Sequence, residues 1–166
     1  PPFILRSFII IFCCDFAVAS DFIAAFLYSS TIFAFDHFDP EKMARYDDRK
    51  VSELLEYNGI IRNKAKIHAF IDNAKAYLRI LEVYPSFSHY IWSFVNHKPI
   101  QNAYKTVSDI PAFTSISEAM NKQLKKDGFK FVGPTICYAF MQATGMVNDH
   151  VTSCPCYAEI VAMTKK

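Results

Sequence analysis

Leu124-Lys125-Lys126-Asp127-Gly128-Phe129-Lys130-Phe131-Val132-Gly133-Pro134-Thr135-Ile136-Cys137-Tyr138 is the stretch on which the reading of this chain turns. It reads as a helix that ends near Asp127, a six-residue connector bracketed by two of the chain's four glycines, and a second helix running to about Thr144. Gly128 suits the left-handed position that ends a helix, and Gly133 lets backbone come close to another group. Pro134 at the first helical position has no N–H to lose. The amides that open this second helix can face outward as an anion site, helped by the positive helix end. With Lys130 beside them, Gly128, Gly133 and Thr135 form a candidate grip on one phosphate. The same letters also fit a plain helical hairpin whose glycines only permit a tight turn. Phe129, Phe131 and Val132 are expected in the core under either reading.

Outward from this stretch the expectation stays helical. Asp39-Pro40-Glu41 reads as an N-cap, a first helical proline and an acidic first turn. Ser52, Leu54 and Leu55 open a helix that Gly59 is expected to close. Ile60, Ile61, Ala65, Ile67, Ile71, Ala74 and Leu78 recur at helical spacing, with charged residues between them, over about five turns. Phe87, Ile91, Phe94 and Val95 form a shorter helix that stops near Lys98-Pro99. Ser115 or Ser117 starts the next, and Gly145 ends the one begun at Pro134. No alternating strand pattern with hairpin turn chemistry occurs, so the expected fold class is all-α.

Composition sets the outer bounds. The chain has 166 residues, 52% of them apolar and 20% charged, with a formal net charge of +2. That apolar fraction excludes intrinsic disorder, and one domain or two small ones is the expectation for the length. A net charge of +2 neither argues for nucleic-acid binding nor opposes it. Lys122, Lys125, Lys126 and Lys130 nevertheless lie beside the connector, and Arg62, Lys64 and Lys66 form a second basic group; each also fits a solvated helix face. Five cysteines, an odd number, do not read as a disulfide framework and point to a reduced, cytoplasmic protein.

The chain changes character at residue 36. Residues 1–35 hold 25 apolar side chains, three charges and eight of the sixteen phenylalanines. Residues 36–166 carry 17 basic against 14 acidic side chains and resemble an ordinary soluble domain. The apolar run Phe8–Cys14 is far shorter than the ~20 residues a membrane-spanning helix needs. Residues 1–35 are therefore read as an aberrant or truncated apolar segment. A buried helix pair and a signal or membrane segment are the alternatives, the last making the chain a membrane-associated helical protein.

Downstream of the connector, His150 and Cys154 stand four apart, so on a helix they would share one face and could bind one zinc ion. Structural zinc needs four ligands; Cys156, Cys13, Cys14 and His37 are further donors on paper. An exposed histidine and a small buried cysteine are the alternative. Asp149 could orient the imidazole, act as an acid or base, or cap a helix.

Five blocks then carry a resemblance. They are Asn58–Ile67 (Asn-Gly-Ile-Ile-Arg-Asn-Lys-Ala-Lys-Ile), Trp92–Asn96 with Lys98-Pro99, Gly128–Tyr138, Met141-Gln142-Ala143 and Gly145–His150. In this order, over about residues 36–157, the chain resembles the bacterial type I 3-methyladenine DNA glycosylases. The resemblance implies an all-α helix–hairpin–helix enzyme of base excision repair that hydrolyses the N-glycosidic bond of 3-methyladenine. It implies alkylated double-stranded DNA as the partner, with no obligate protein partner and a monomeric state. It makes the Gly128–Gly133 connector the hairpin that grips DNA, and His150 and Cys154 two of four ligands to a structural zinc. The family's N-terminal region also carries two further zinc ligands, a base-recognising Glu, stacking aromatics and a Leu-Ser-Trp stretch. None of these motifs occurs in residues 1–35: no Glu precedes Glu41 and no Trp precedes Trp92. A non-catalytic helix–hairpin–helix DNA-binding remnant is accordingly the second reading of the same residues.

Overall fold

The structure, a computed structural model, describes residues 30–164. Residues 30–34 are helical and lead into a tight turn at Asp36–Phe38. Seven further helices follow: α1 Pro40–Met43, α2 Asp48–Glu56, α3 Lys64–Val83, α4 Phe87–Trp92, α5 Ser115–Lys126, α6 Pro134–Ala143 and α7 Pro155–Met163. Two short strands, β1 Ile100–Gln101 and β2 Val147–Asn148, pair in parallel. The all-α expectation holds. A two-residue strand shows no alternation, so this bridge left no trace in the sequence pattern.

The helix starts follow side-chain caps. Asp39 accepts from the Glu41 and Lys42 amides at 3.0 and 3.2 Å, as its place before Pro40 suggested. Asp47 accepts from the Lys50 amide at 2.9 Å, so α2 begins at Asp48, four residues before the expected Ser52. Asn63 does the same for α3 through Lys66 at 3.1 Å, which moves that start from Ile60 to Lys64. At the other end of α2, Tyr57 turns extended and Gly59 is not left-handed, so Gly59 is not the cap.

The chain divides into two compact units. Among the described residues the first holds 30–87 and 124–131. Its core is the inner face of α3, where Ile67, Phe70, Ile71, Ala74 and Ile80 are buried. Phe35 and Phe38 pack on Phe70, with ring centroids 4.6 and 5.8 Å apart. These contacts hold Asp36, His37 and Phe38, three consecutive residues in the left-handed region with φ of 49°, 59° and 56°. Such backbone costs about 1–2 kcal/mol per residue. The Tyr46 hydroxyl also ties the turn down by donating to Asp36 Oδ2 at 2.6 Å. Burial, and then that hydrogen bond, push the Tyr46 hydroxyl pKa upward.

The second unit holds 88–123 and 132–164. Its core gathers Tyr90, Ile91, Met120, Cys137, Tyr138, Phe140, Met141 and Met146. The strand bridge ties Ile100 to Met146 (N to O, 2.9 Å) and Asn102 to Asn148 (3.2 Å). It thereby fixes the chain just ahead of His150. No helix among the described residues is long and apolar enough to cross a membrane. The apolar run Phe8–Cys14, on which the signal and membrane readings rest, lies outside the described residues.

Candidate functional site: the hairpin and the histidine–cysteine turn

The connector is built as its glycines suggested. Gly128 is left-handed at φ +98°, and its N–H donates to the Lys125 carbonyl at 3.2 Å. The Phe129 amide bonds the Leu124 carbonyl at 2.9 Å, which ends α5 tightly. Phe129 and Val132 are buried, whereas Phe131, expected in the core, is 46% exposed. Phe131 is itself left-handed (φ 55°).

Two residues of α3 hold the first half of the connector, and neither was singled out from sequence. Asn73, fully buried, accepts from the Lys130 amide at 2.7 Å and donates from its own amide to the Lys130 carbonyl at 3.2 Å. Arg79 donates to the Asp127 carbonyl at 3.0 Å. The signal was an Asn in the apolar stripe of a long helix, since a buried amide needs partners. The main-chain amides of Gly128 and Lys130 are thus already bonded, and Lys130 has only its exposed ammonium to offer a ligand.

Residues 132–135 belong to the second unit. Gly133 is extended (φ −134°, ψ 159°) and its carbonyl accepts from the Cys137 amide at 2.9 Å. A Cβ built there meets nothing within 4 Å. Thr135 is exposed at the second position of α6, where its N–H has no partner one turn back. This open approach before a helix start is the geometry that accepts an anion. Lys122, Lys125 and Lys126 on α5 are all exposed as well.

The second feature is the turn from Asp149 to Cys156. His150 and Cys154 come together, but not on the face of a helix. Cys154 is the extended N-cap of α7 and Pro155 its first residue, so residues 150–154 form a turn closed by Cys154 N to Val151 O at 2.8 Å. His150 Nδ1 and Cys154 Sγ stand 3.6 Å apart. Zinc bonds of about 2.0–2.1 Å to nitrogen and 2.3 Å to sulfur place such a pair about 3.6 Å apart around a tetrahedral ion. Cys156 completes a group of three whose donor atoms all lie within 4.8 Å of one another. The donor set and spacing fit zinc. The Cys156 thiol pKa is pushed up, first by its hydrogen bond with Cys154 and then by that neighbour's charge. His37, exposed on the left-handed turn, packs its ring against Phe33 at 5.2 Å; Cys13 and Cys14 lie outside the described residues.

Asp149 anchors this turn. Its carboxylate accepts from Asn102 Nδ2 and from Gln142 Nε2, both at 2.7 Å. Those two amides, and not the His150 ring, take up its oxygens. The Tyr138 hydroxyl is buried nearby, beside Asp149 and Tyr104, and among the described residues no group completes a well-directed hydrogen bond to it. Burial first, then these neighbours, raise its pKa. Asn148 adds a bond from its side chain to Gln101 Oε1 at 2.8 Å.

Comparison with known proteins places the chain among relatives of one kind. Residues 29–157 match the family described as methyladenine glycosylase. The DNA-3-methyladenine glycosylase 1 of Escherichia coli strain K12 is 52% identical over 123 residues, 74% of this chain and 66% of that protein. The chain therefore spans just under two thirds of that relative's length. A crystal structure of 3-methyladenine DNA glycosylase I superposes with a TM-score of 0.81 at 38% identity, covering 92% of this chain and 83% of the other. A tyrosine-to-phenylalanine variant of such an enzyme, in complex with 3-methyladenine, gives a TM-score of 0.81 at 30% identity, over 92% and 81% of the two chains. With the glycine-bracketed hairpin and the histidine–cysteine turn in one order along a helical chain, these matches leave one assignment: the chain belongs to the methyladenine glycosylase family.

Proposed function

We propose that residues 36–166 form a DNA glycosylase domain that hydrolyses the N-glycosidic bond of 3-methyladenine in alkylated double-stranded DNA. The observation that carries this reading is the hairpin of Gly128–Gly133 leading into α6, within a sequence 52% identical to an enzyme of that name. Gly133 and Thr135 offer main-chain approach to a phosphate, Gly128 shapes the turn, and Lys130 supplies a cation. His150 and Cys154 hold a structural zinc, which when bound cross-links the C-terminal turn and takes no part in the chemistry. The protein acts as a cytoplasmic monomer.

Methylation at N3 makes the adenine a cation, so the bond from C1′ to the base is weakened before the enzyme acts. The enzyme extrudes the nucleotide, at a cost of a few kcal/mol, and holds the base by stacking and hydrogen bonds. The C1′–N9 bond breaks, water supplies oxygen to C1′ and releases a proton, and neutral 3-methyladenine leaves. No lysine stands in a motif for Schiff-base chemistry, so the reaction is hydrolysis alone.

The test is to incubate the purified chain with methylated duplex and measure free 3-methyladenine. Release above a heat-inactivated control is expected; binding without release would replace catalysis by the second reading, a helix–hairpin–helix module that only binds DNA. The absence of any Glu before Glu41 and any Trp before Trp92 favours that second reading. Gly133→Ala tests the phosphate contact: it should keep the fold and weaken duplex binding. Unchanged affinity would remove Gly133 from the interface.

A further inference from the structure

The geometry points to Cys156 as a third metal ligand, so that the short segment His150–Cys156 by itself supplies three of the four positions of a tetrahedral zinc site. This rests on the reading that His150 and Cys154 hold zinc, and it extends that reading to a donor set of one imidazole and two thiolates.

Three observations carry it. The donor atoms of His150, Cys154 and Cys156 lie mutually within 4.8 Å, and a zinc site needs its sulfur pair about 3.8 Å and its nitrogen–sulfur pairs about 3.6 Å apart. The His150–Cys154 pair already stands at 3.6 Å, so closing the site asks only for a small side-chain adjustment at Cys156. Pro155 then fixes the offset between the two sulfurs. Cys154 is the extended cap, Pro155 the first helical residue and Cys156 the next, in the first turn of the nine-residue α7. A proline in that place holds the backbone at the helical φ and keeps both thiols on the side of His150. Finally, Cys156 is exposed, unlike the buried Cys137, so burial as a small apolar side chain does not account for it. The Asp149 clamp onto Asn102 and Gln142 holds the start of the segment without spending a donor. The fourth position is left to solvent or to a donor outside the segment.

Cobalt(II) substitution of the full chain reads the ligand set directly, because sulfur-to-metal charge-transfer absorption grows with the number of thiolates. The unaltered chain should bind one cobalt and show the absorption of two thiolates. Cys156→Ser should lower that absorption by about half and weaken zinc binding by at least about tenfold. Cys156→His, which keeps a ligand, should restore the affinity but not the lost absorption. A paired Cys13→Ser and Cys14→Ser variant should leave the two-thiolate band in place. Alkylation followed by mass mapping gives a second readout, in which zinc should protect Cys154 and Cys156 together. If Cys156→Ser, folded by circular dichroism, kept the full band and affinity, Cys156 would not be a ligand while the zinc reading stood. If the unaltered chain took up no metal, both would fall.

Discussion

The hairpin and the histidine–cysteine turn are held in opposite ways. The first half of the hairpin is fixed through its backbone by two side chains of α3: Asn73 holds Lys130 and Arg79 holds Asp127, 57 and 48 residues away in the chain. The turn is fixed through a side chain, Asp149, and leaves His150 and Cys156 exposed. Backbone held by a side chain from a distant helix keeps its shape only as long as that contact lasts. A site that offers soft side chains needs only a fixed base from which they reach.

The sharpest way to break this contrast is Asn73→Ala. It leaves the Lys130 N–H and C=O, in a part-buried place, without their side-chain partner, at up to about 1–3 kcal/mol for each group that stays unsatisfied. A loss of about 3 kcal/mol in urea unfolding is expected, together with a hairpin that no longer binds duplex DNA. If stability fell while binding survived, the hairpin would hold its shape without α3.

Next in size is the difference between the two glycines. A methyl group at Gly128 would need the left-handed backbone at φ +98° and would collide with the Arg79 guanidinium, displacing it from Asp127. Gly128→Ala should therefore cost about 2 kcal/mol. Gly133→Ala faces open space and an extended φ, so it should stay within about 0.5 kcal/mol of the parent. Thermal unfolding of the two variants side by side measures this. Equal losses would mean that the glycines share one structural role, and that Gly133 is not kept bare for a ligand.

Much of this was legible in the sequence, for reasons that differ along the chain. The caps at Asp39 and Gly128 and the helix break at Gly145 are local chemistry, readable from two or three letters. The start of α2 was misplaced because Ser52 and the pair after it looked like a beginning, while Asp47, whose carboxylate does the capping, is followed by three charged residues that hide the helix. His150 and Cys154 do come together, but not on a helix face as their spacing suggested: Pro155 forces the helix to begin after Cys154, so a turn brings the two side chains to 3.6 Å. The partners of Asn73, Arg79 and Asn102 lie 57, 48 and 47 residues away, so no local pattern names them, although a polar Asn73 in the apolar stripe of α3 signals that it needs some. Phe131 shows the limit of counting apolar letters, since it stands 46% exposed between the buried Phe129 and Val132.

Asp149→Ala tests the other side of the contrast with a smaller effect. It removes the acceptor of two amides at 2.7 Å, in a place that is only half-buried. A loss of about 1–2 kcal/mol is expected, with zinc affinity lowered about tenfold because the base of the turn is loosened. Asp149→Asn, which keeps one acceptor, should fall between the two. A variant that lost stability but kept its metal affinity would show that the turn is preorganised by Pro155 and the Val151–Cys154 bond alone.

Lys130→Ala carries the smallest expected change in stability, none beyond about 0.5 kcal/mol, because its main-chain bonds to Asn73 do not involve the side chain. Its side chain is exposed, and a phosphate contact is the contribution to DNA binding expected of it. Neutralising one phosphate contributes about 0.9 to the slope of log affinity against log salt. The variant's slope should be shallower by about that amount, and its weakening should be uniform across sequences and indifferent to methylation of the duplex. A weakening confined to methylated duplex would instead bring Lys130 to the damaged base. In that case the hairpin would read the lesion as well as the backbone, and the division between a main-chain grip and a side-chain site would no longer describe it.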